Sequence, residues 1–137
     1  MEKLLAVLAD YANVTQEGKL NIMGIFGELN PPVLPFNLPQ AFLVTLFSAG
    51  AAEIGTDKKM RVVLLDGDGK QVVSIEQSVK LPSPKRPGDR LNINFVLGMA
   101  GIRFERAGDY AFSILVGDEE KASIPLRVNE VPKGAQQ

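Results

Sequence analysis

Two aspartates separated by one glycine, in the segment Asp66-Gly67-Asp68-Gly69, are the first residues of this chain whose spacing suggests chemistry. Alternating carboxylates bind hard cations such as Ca²⁺ in loops of the EF-hand type. That loop needs an oxygen ligand at its fifth position and a glutamate at its twelfth, but these positions hold Lys70 and Gln77. Asp-Gly is also a strong signal for a tight hairpin turn. We therefore interpret the segment as a turn and predict no metal and no cofactor.

Other neighbouring carboxylates are candidates for general acid–base catalysis. They are Glu105 with Asp109, and Glu119 with Glu120. Such a pair works when burial or mutual coupling separates the two pKa values. All four residues adjoin turn glycines, where we expect them to be solvated. We predict no catalytic residue and a protein that is not an enzyme.

The composition excludes several classes of site. The chain has no cysteine, no histidine and no tryptophan, so it has no disulfide, no thiolate nucleophile, no imidazole ligand and no Ser-His-Asp triad. A net charge of −1 creates no field of one sign that would attract nucleic acid or an acidic membrane surface. The cluster of basic residues from Lys80 to Arg106 is interpreted as a solvated surface. We predict neither nucleic acid nor membrane as a partner.

Short apolar runs separated by glycine and proline predict a chain of β-strands. Gly24 and Gly27, inside one of these runs, indicate a bulge or a close backbone approach. Ala41–Phe47 is apolar throughout, which is typical of a strand covered on both faces. The predicted strands are Lys3–Val14, Lys19–Leu29, Ala41–Phe47, Lys58–Leu65, Gln71–Val79, Arg90–Leu97, Tyr110–Val116 and Ala122–Val128.

This pattern predicts an all-β protein, an immunoglobulin-like antiparallel β-sandwich of about seven to eight strands. Gly98–Arg106 has room for one short helical turn. Tyr110 follows a Gly-Asp turn at the start of a late strand, where immunoglobulin-like domains carry a tyrosine whose hydroxyl bonds back to the preceding corner. We expect a single domain over residues 1–130 and a frayed tail over residues 131–137.

Three parts of the chain resemble a family of small uncharacterised bacterial proteins. They are the central Asp-Gly hairpin, the closing strand Gly108–Phe112, and an opening made of Val7–Asn13, Gly18–Phe26, the proline-rich stretch and Phe42–Val44. The most specific part is the stretch from Asn13 to Phe26, with Gly18, Lys19, Asn21 and Gly24 at fixed spacing. The resemblance implies one compact domain of bacterial type and a cytoplasmic location. It implies no activity and no functional residue.

The proline-rich segment Asn30–Gln40 is the feature that we expect to carry function. Its prolines remove backbone donors, so it cannot form a central strand. It either covers one end of the core as a lid or forms an exposed apolar patch. We name as the candidate interaction surface Val33, Leu34, Phe36 and Leu38.

The resulting prediction is a non-enzymatic protein-interaction or structural module that acts through loops or a sheet edge. Its partner is another protein or a second copy in a homo-oligomer. One alternative is a domain that binds carbohydrate or metal, or a carboxylate-dependent enzyme. Another is a protease inhibitor built on a β-sandwich, an idea that rests on fold analogy.

Overall fold

The computed structural model describes residues 1–130, and the predicted frayed tail lies outside that range. All regular structure in residues 1–130 is β-strand, and no helix there could cross a membrane. The eleven strands are β1 (Glu2–Val14), β2 (Leu20–Phe26), β3 (Glu28–Leu29), β4 (Phe36–Leu38), β5 (Ala41–Ala49), β6 (Asp57–Leu65), β7 (Gln71–Lys80), β8 (Leu91–Met99), β9 (Ile102–Phe104), β10 (Gly108–Val116) and β11 (Glu119–Val128).

These strands form three sheets. The first has the order β2-β1-β5-β8, the second has the order β3-β11-β10-β6-β7, and the third pairs β4 with β9. All pairings are antiparallel except that of β3 with β11. The all-β prediction is therefore confirmed.

One hydrophobic core lies between the two larger sheets. Alternate residues of each strand point into it, as the period of two along a strand requires. β11 shows this most clearly, because Ala122, Ile124, Leu126 and Val128 are buried while the residues between them are exposed. Phe47, from the first sheet, and Phe112, from the second, are among the largest fully buried side chains.

β5 is buried on both faces, as its continuous apolar sequence predicts. Val44 is 0% exposed but is not one of the residues of the hydrophobic core between the two larger sheets. The residues that cover Val44 therefore lie on the outer face of the first sheet. The hairpin of β1 and β2 supplies that cover. Asn94 of β8 donates from Nδ2 to the carbonyl oxygen of Gly18 at the hairpin tip, at 2.9 Å. β1 also contacts β8, although β5 lies between them in the sheet.

The hairpin bends where β2 contains Gly24, whose φ of +72° interrupts the extended backbone. A Cβ at this position would lie 2.4 Å from Oδ2 of Asp10, so the strand backbone and that side chain approach closely. This confirms the prediction made for Gly24. Gly27 marks the break between β2 and β3, and its carbonyl oxygen accepts a bond from the Arg127 amide.

The sequence pattern misses two short strands, β4 and β9, and it joins β2 and β3 into one predicted strand, Lys19–Leu29. The predicted seven to eight strands correspond to the long ones, and β3, β4 and β9 have only two or three residues each. The segment considered for a helical turn instead contains β9. Ile102 and Phe104 are buried on either side of exposed Arg103, which is the period of a strand. The all-β class holds, while the strand count rises to eleven.

Tyr110 ties the start of β10 to the loop before it. Its hydroxyl donates to the carbonyl oxygen of Arg106 at 2.7 Å. The ring of Phe104 packs edge-on against the Tyr110 ring, with 5.0 Å between centroids. The predicted bond from this tyrosine back to the corner is present.

Candidate functional site

The proline-rich segment mainly covers the core. Leu38 is 8% exposed and belongs to the hydrophobic core, and Leu34 and Phe36 are partly buried against that core. Phe36–Leu38 forms β4 and pairs with β9, where Phe36 lies opposite Phe104. These three residues of the predicted interaction surface therefore face inward in whole or in part.

Val33 is the exception among the four predicted residues, because it is 66% exposed. It stands between the exposed Pro32 and the half-buried Leu34. One exposed apolar side chain is ordinary for a protein surface. The four residues do not form one continuous apolar surface.

A larger apolar surface lies on the hairpin of β1 and β2. Met23 is 65% exposed and Ile25 is 62% exposed on β2, on either side of Gly24. Tyr11 of β1 lies opposite Met23 in the strand register and is 46% exposed. We refer to Tyr11, Met23 and Ile25 as the hairpin surface.

The position of the hairpin explains why these side chains are exposed. The tip of the hairpin reaches the outer face of the first sheet at Asn94, and Ala12 of the hairpin and Val44 of β5 are both buried. Leu20 and Ile22 are half-buried, whereas Asn21 and Met23 point to solvent. The Tyr11 ring packs edge-on against Phe42, with centroids 5.3 Å apart, which holds it in place.

The polar neighbours of the hairpin surface are two asparagines and the exposed carboxylate of Asp10, which lies against Gly24. Asn21 donates from Nδ2 to Oδ1 of Asn13 at 3.0 Å, and Asn13 Nδ2 lies 3.4 Å from the Tyr11 hydroxyl. These side chains form a short polar ladder along the tip of the hairpin. An apolar centre beside satisfied polar groups is the composition found in protein contact surfaces.

The sheet edges differ in how well they could accept another strand. β11 has a partner on its outer side only at Arg127 and Val128, and its remaining edge carries Pro125. The amide of Arg127 donates on the β3 side of β11. Pro125 lies two residues earlier and therefore faces the same side, where it has no amide to donate to an added strand. β2 has no second strand partner within residues 1–130, but Gly24 bends its backbone.

The Asp-Gly segment is a turn, as predicted. Oδ1 of Asp66 accepts from the amides of Asp68 and Lys70, at 3.0 and 2.9 Å. Asp66 also closes the hairpin through its own amide, which donates to the Lys70 carbonyl. No group of three or more potential metal ligands is present among the described residues.

The structure does not bring the other candidate carboxylates together. Glu105 pairs with Arg103 at 2.6 Å, Asp109 pairs with Arg127 at 2.9 Å, and Glu119 pairs with Lys121 at 3.1 Å. The three carboxylates are exposed. Each is satisfied by its own cation, which is the arrangement of surface ion pairs.

Glu53 is the carboxylate with a clear structural perturbation. It accepts a hydrogen bond from the N-terminal ammonium of Met1 at 2.5 Å. This bond holds the pKa of Glu53 below its ordinary value, although partial burial opposes the shift. The contact joins the start of β1 to the loop between β5 and β6.

A cleft of about 480 Å³ opens between the β6–β7 turn and the loop that leads into β10. One wall is the segment Asp66–Val72, and the other contains Arg103 and residues from Glu105 to Gly108, with Tyr110. Its volume lies in the range of small-molecule sites, roughly 300–1,000 Å³. The sequence patterns gave no sign of this cleft, because thirty residues separate its walls, between Val72 and Arg103.

The hairpin surface was also missed, although Met23 and Ile25 belong to the stretch Asn13–Phe26 that carries the family resemblance. The sequence did contain a sign of this surface. Leu20 and Ile22 lie on one face of the predicted strand and Met23 and Ile25 on the other, so both faces of β2 are apolar. A strand at the edge of a sheet with two apolar faces must cover both or expose one.

A family model described as "Family of unknown function (DUF6941)" matches residues 4–129. No curated protein matches the chain.

Proposed function

The chain belongs to this family of unknown function, and we propose from its own surface that it is a non-enzymatic protein-interaction module that makes contact through the hairpin surface. The observation that carries this proposal is the exposure of Tyr11, Met23 and Ile25 on one face of a hairpin whose opposite face is partly buried. Large apolar side chains grouped on a surface favour contact with a protein.

The composition of the surface supports this role. Tyrosine and methionine are enriched in the centres of protein interfaces, and charged residues are depleted there. Tyr11 is held by Phe42, so binding costs little additional side-chain entropy at that position. The surface needs no catalytic group, in keeping with the separate, satisfied ion pairs of the exposed carboxylates.

A second copy of the chain is the partner that we expect first. The net charge of −1 gives little repulsion between copies, and the hairpin surface contains no charged side chain. Two copies related by a two-fold axis would place the same apolar residues against each other. A different protein with an apolar surface is the other arrangement.

Sedimentation equilibrium over about 10 μM to 1 mM tests self-association, since weak dimers have dissociation constants in this range. We expect the wild-type chain to associate and the double variant Met23→Asp/Ile25→Asp to remain monomeric. Both changes are at exposed positions, so circular dichroism and the melting temperature should remain close to those of the wild type. The matched control is Leu4→Asp/Val33→Asp, which places the same charges at two other exposed apolar residues.

A photo-crosslinking amino acid at position 23 tests the other arrangement in cells, with the same group at position 33, which is equally exposed, as the control. A monomeric wild-type chain together with no crosslink specific to position 23 would refute the proposal. A crosslinked dimer supports self-association, and a specific crosslink to another protein supports the second arrangement.

We also propose that the two packed sheets have the immunoglobulin-like arrangement. The order β11-β10-β6-β7 corresponds to strands G, F, C and C′ of that fold, and β1-β5-β8 corresponds to A, B and E. The Tyr110 hydroxyl bonded to the carbonyl four residues earlier supports the same assignment, because the fold places such a tyrosine at the start of strand F. The hairpin strand β2 is then an addition to this framework.

The proposed setting is the cytoplasm of a bacterium. The resemblance of Asn13–Phe26 and Gly108–Phe112 to small bacterial proteins supports it. The absence of cysteine fits a chain that depends on its core, not on disulfides, for stability.

A further inference from the structure

We propose that the cleft between the β6–β7 turn and the loop before β10 binds a carboxylate carried on a small apolar body. The cleft shares no lining residue with the hairpin surface, so this proposal is independent of the proposed function. The carboxylate would belong to a free organic acid or to the C-terminus of a peptide.

Both walls of the cleft are fixed before any ligand arrives. Asp66 holds the turn through two backbone amides, and Tyr110 holds the opposite loop through the Arg106 carbonyl. Both anchors lie in the lining itself. A preorganised site loses less conformational entropy on binding than a mobile one.

The formal charges of the lining cancel, since three acids face three bases, but the two signs differ in availability. The acids Asp66 and Glu105 are already engaged, by backbone amides and by Arg103 respectively. The side chains of Lys70 and Arg106 have no hydrogen-bond or ion-pair partner among the described residues. The cleft therefore offers two available cations against one available acid, Asp68.

Lys70 and Arg106 stand on opposite walls, one at the base of the turn and one in the loop. A carboxylate between them would receive charge-assisted hydrogen bonds, and a guanidinium can donate two parallel bonds to it. Val72, Ala107 and the Tyr110 ring supply apolar lining for the rest of the ligand. This combination selects an acid with an aliphatic or aromatic body over an inorganic anion.

The test is a titration followed by amide chemical shifts, with N-acetyl-leucine as the probe and N-acetyl-leucine amide as the uncharged control. We expect saturable shifts at Gly67, Gly69 and Gly108 with the acid and none with the amide. Equal effects of the two probes, or no saturable shift with the acid, would overturn the proposal.

Three variants assign the charges. Lys70→Gln and Arg106→Gln should each weaken binding of the acid by about tenfold, and Asp68→Asn should strengthen it several-fold, because it removes the one available acid. Lys80→Gln is the matched control, since it removes a cation from the other end of β7 and should leave the affinity unchanged. An affinity that is unaffected by all three cleft variants would place binding elsewhere and contradict the proposal.

A peptide that ends in leucine distinguishes the two sources of the carboxylate. Tighter binding of the peptide with a free C-terminus than of N-acetyl-leucine supports recognition of protein C-termini. Tighter binding of N-acetyl-leucine supports a small acid as the ligand.

Discussion

The carboxylate of Asp10 lies over the α-carbon of Gly24, so close that a Cβ added to this glycine would be 2.4 Å from Oδ2 and 3.0 Å from the Asp10 Cβ. Gly24 also has a φ of +72°, which L-residues with a side chain rarely adopt. The two facts have a common consequence, because the backbone conformation of the hairpin at this position depends on a missing side chain.

Gly24→Ala should therefore destabilise the protein more than other glycine substitutions in the hairpin. The backbone strain alone costs about 1–3 kcal/mol, and the contact with Asp10 adds to it. Chemical denaturation measures the loss. Gly18 has a positive φ but no atom near its added Cβ, and Gly27 has neither feature. We therefore expect Gly27→Ala to be the most stable of the three variants, Gly18→Ala to be intermediate and Gly24→Ala to be the least stable. Equal effects of Gly18→Ala and Gly24→Ala would show that the contact with Asp10 is unimportant.

Tyr110→Phe should lower the free energy of unfolding by about 1–2 kcal/mol, since it removes the hydroxyl that satisfies the Arg106 carbonyl and keeps the ring. The edge-on contact with Phe104 should survive. Tyr11→Phe is the matched control, because its hydroxyl makes only a long, exposed contact to Asn13. A loss in the control as large as that in Tyr110→Phe would argue against a specific role for the corner bond.

Thr45→Val should stabilise the protein by about 1 kcal/mol. Thr45 is 0% exposed and its hydroxyl has no hydrogen-bond partner within residues 1–130, so the native state bears the cost of burying an unsatisfied polar group. Valine has a similar shape and removes that cost. The control is Thr56→Val. The Thr56 hydroxyl donates to the Glu53 carbonyl, so this substitution should not raise the free energy of unfolding. A destabilised Thr45→Val chain would mean that the hydroxyl finds a partner in solution.

The stability of the wild type should fall in acid partly through Glu53. Its pKa is lower in the folded state than the unperturbed value of 4.5, so its stabilising effect is complete above that value. The effect is lost as the pH falls through the lower, folded-state pKa. Urea unfolding at a series of pH values should show a shallower acid dependence for Glu53→Gln. Glu17→Gln, at an exposed turn, should retain the wild-type profile, and an identical profile for Glu53→Gln would contradict this assignment.

The long strands and hairpin turns could be predicted because they depend on local signals. Asp66 shows why, since its side chain and backbone close the β6–β7 turn within five residues. Period-two alternation located the long strands, which bury one face or both. The tyrosine at the corner was recognisable because its partner, Arg106, is four residues away.

The short strands and the surfaces depend on contacts between distant parts of the chain. Phe36 becomes part of a strand because it pairs with Phe104, and no local pattern near either residue contains that information. The same pairing accompanies the burial, in whole or in part, of Leu34, Phe36 and Leu38, while Val33 is exposed. Prolines identified a segment outside the sheet interior, but only its partner determines which of its apolar side chains reach solvent.

The bond between Asn94 and Gly18 joins residues separated by 76 positions, whereas β1 and β2 pair around a turn of a few residues. Local pairs close quickly, and distant ones wait for the intervening chain to become ordered. We therefore expect the first hairpin to form early and to settle onto β8 late in folding. Until that step is complete, the outer face of β5 lacks its cover. The partly folded chain then exposes an apolar strand surface that is prone to association and that the folded protein buries.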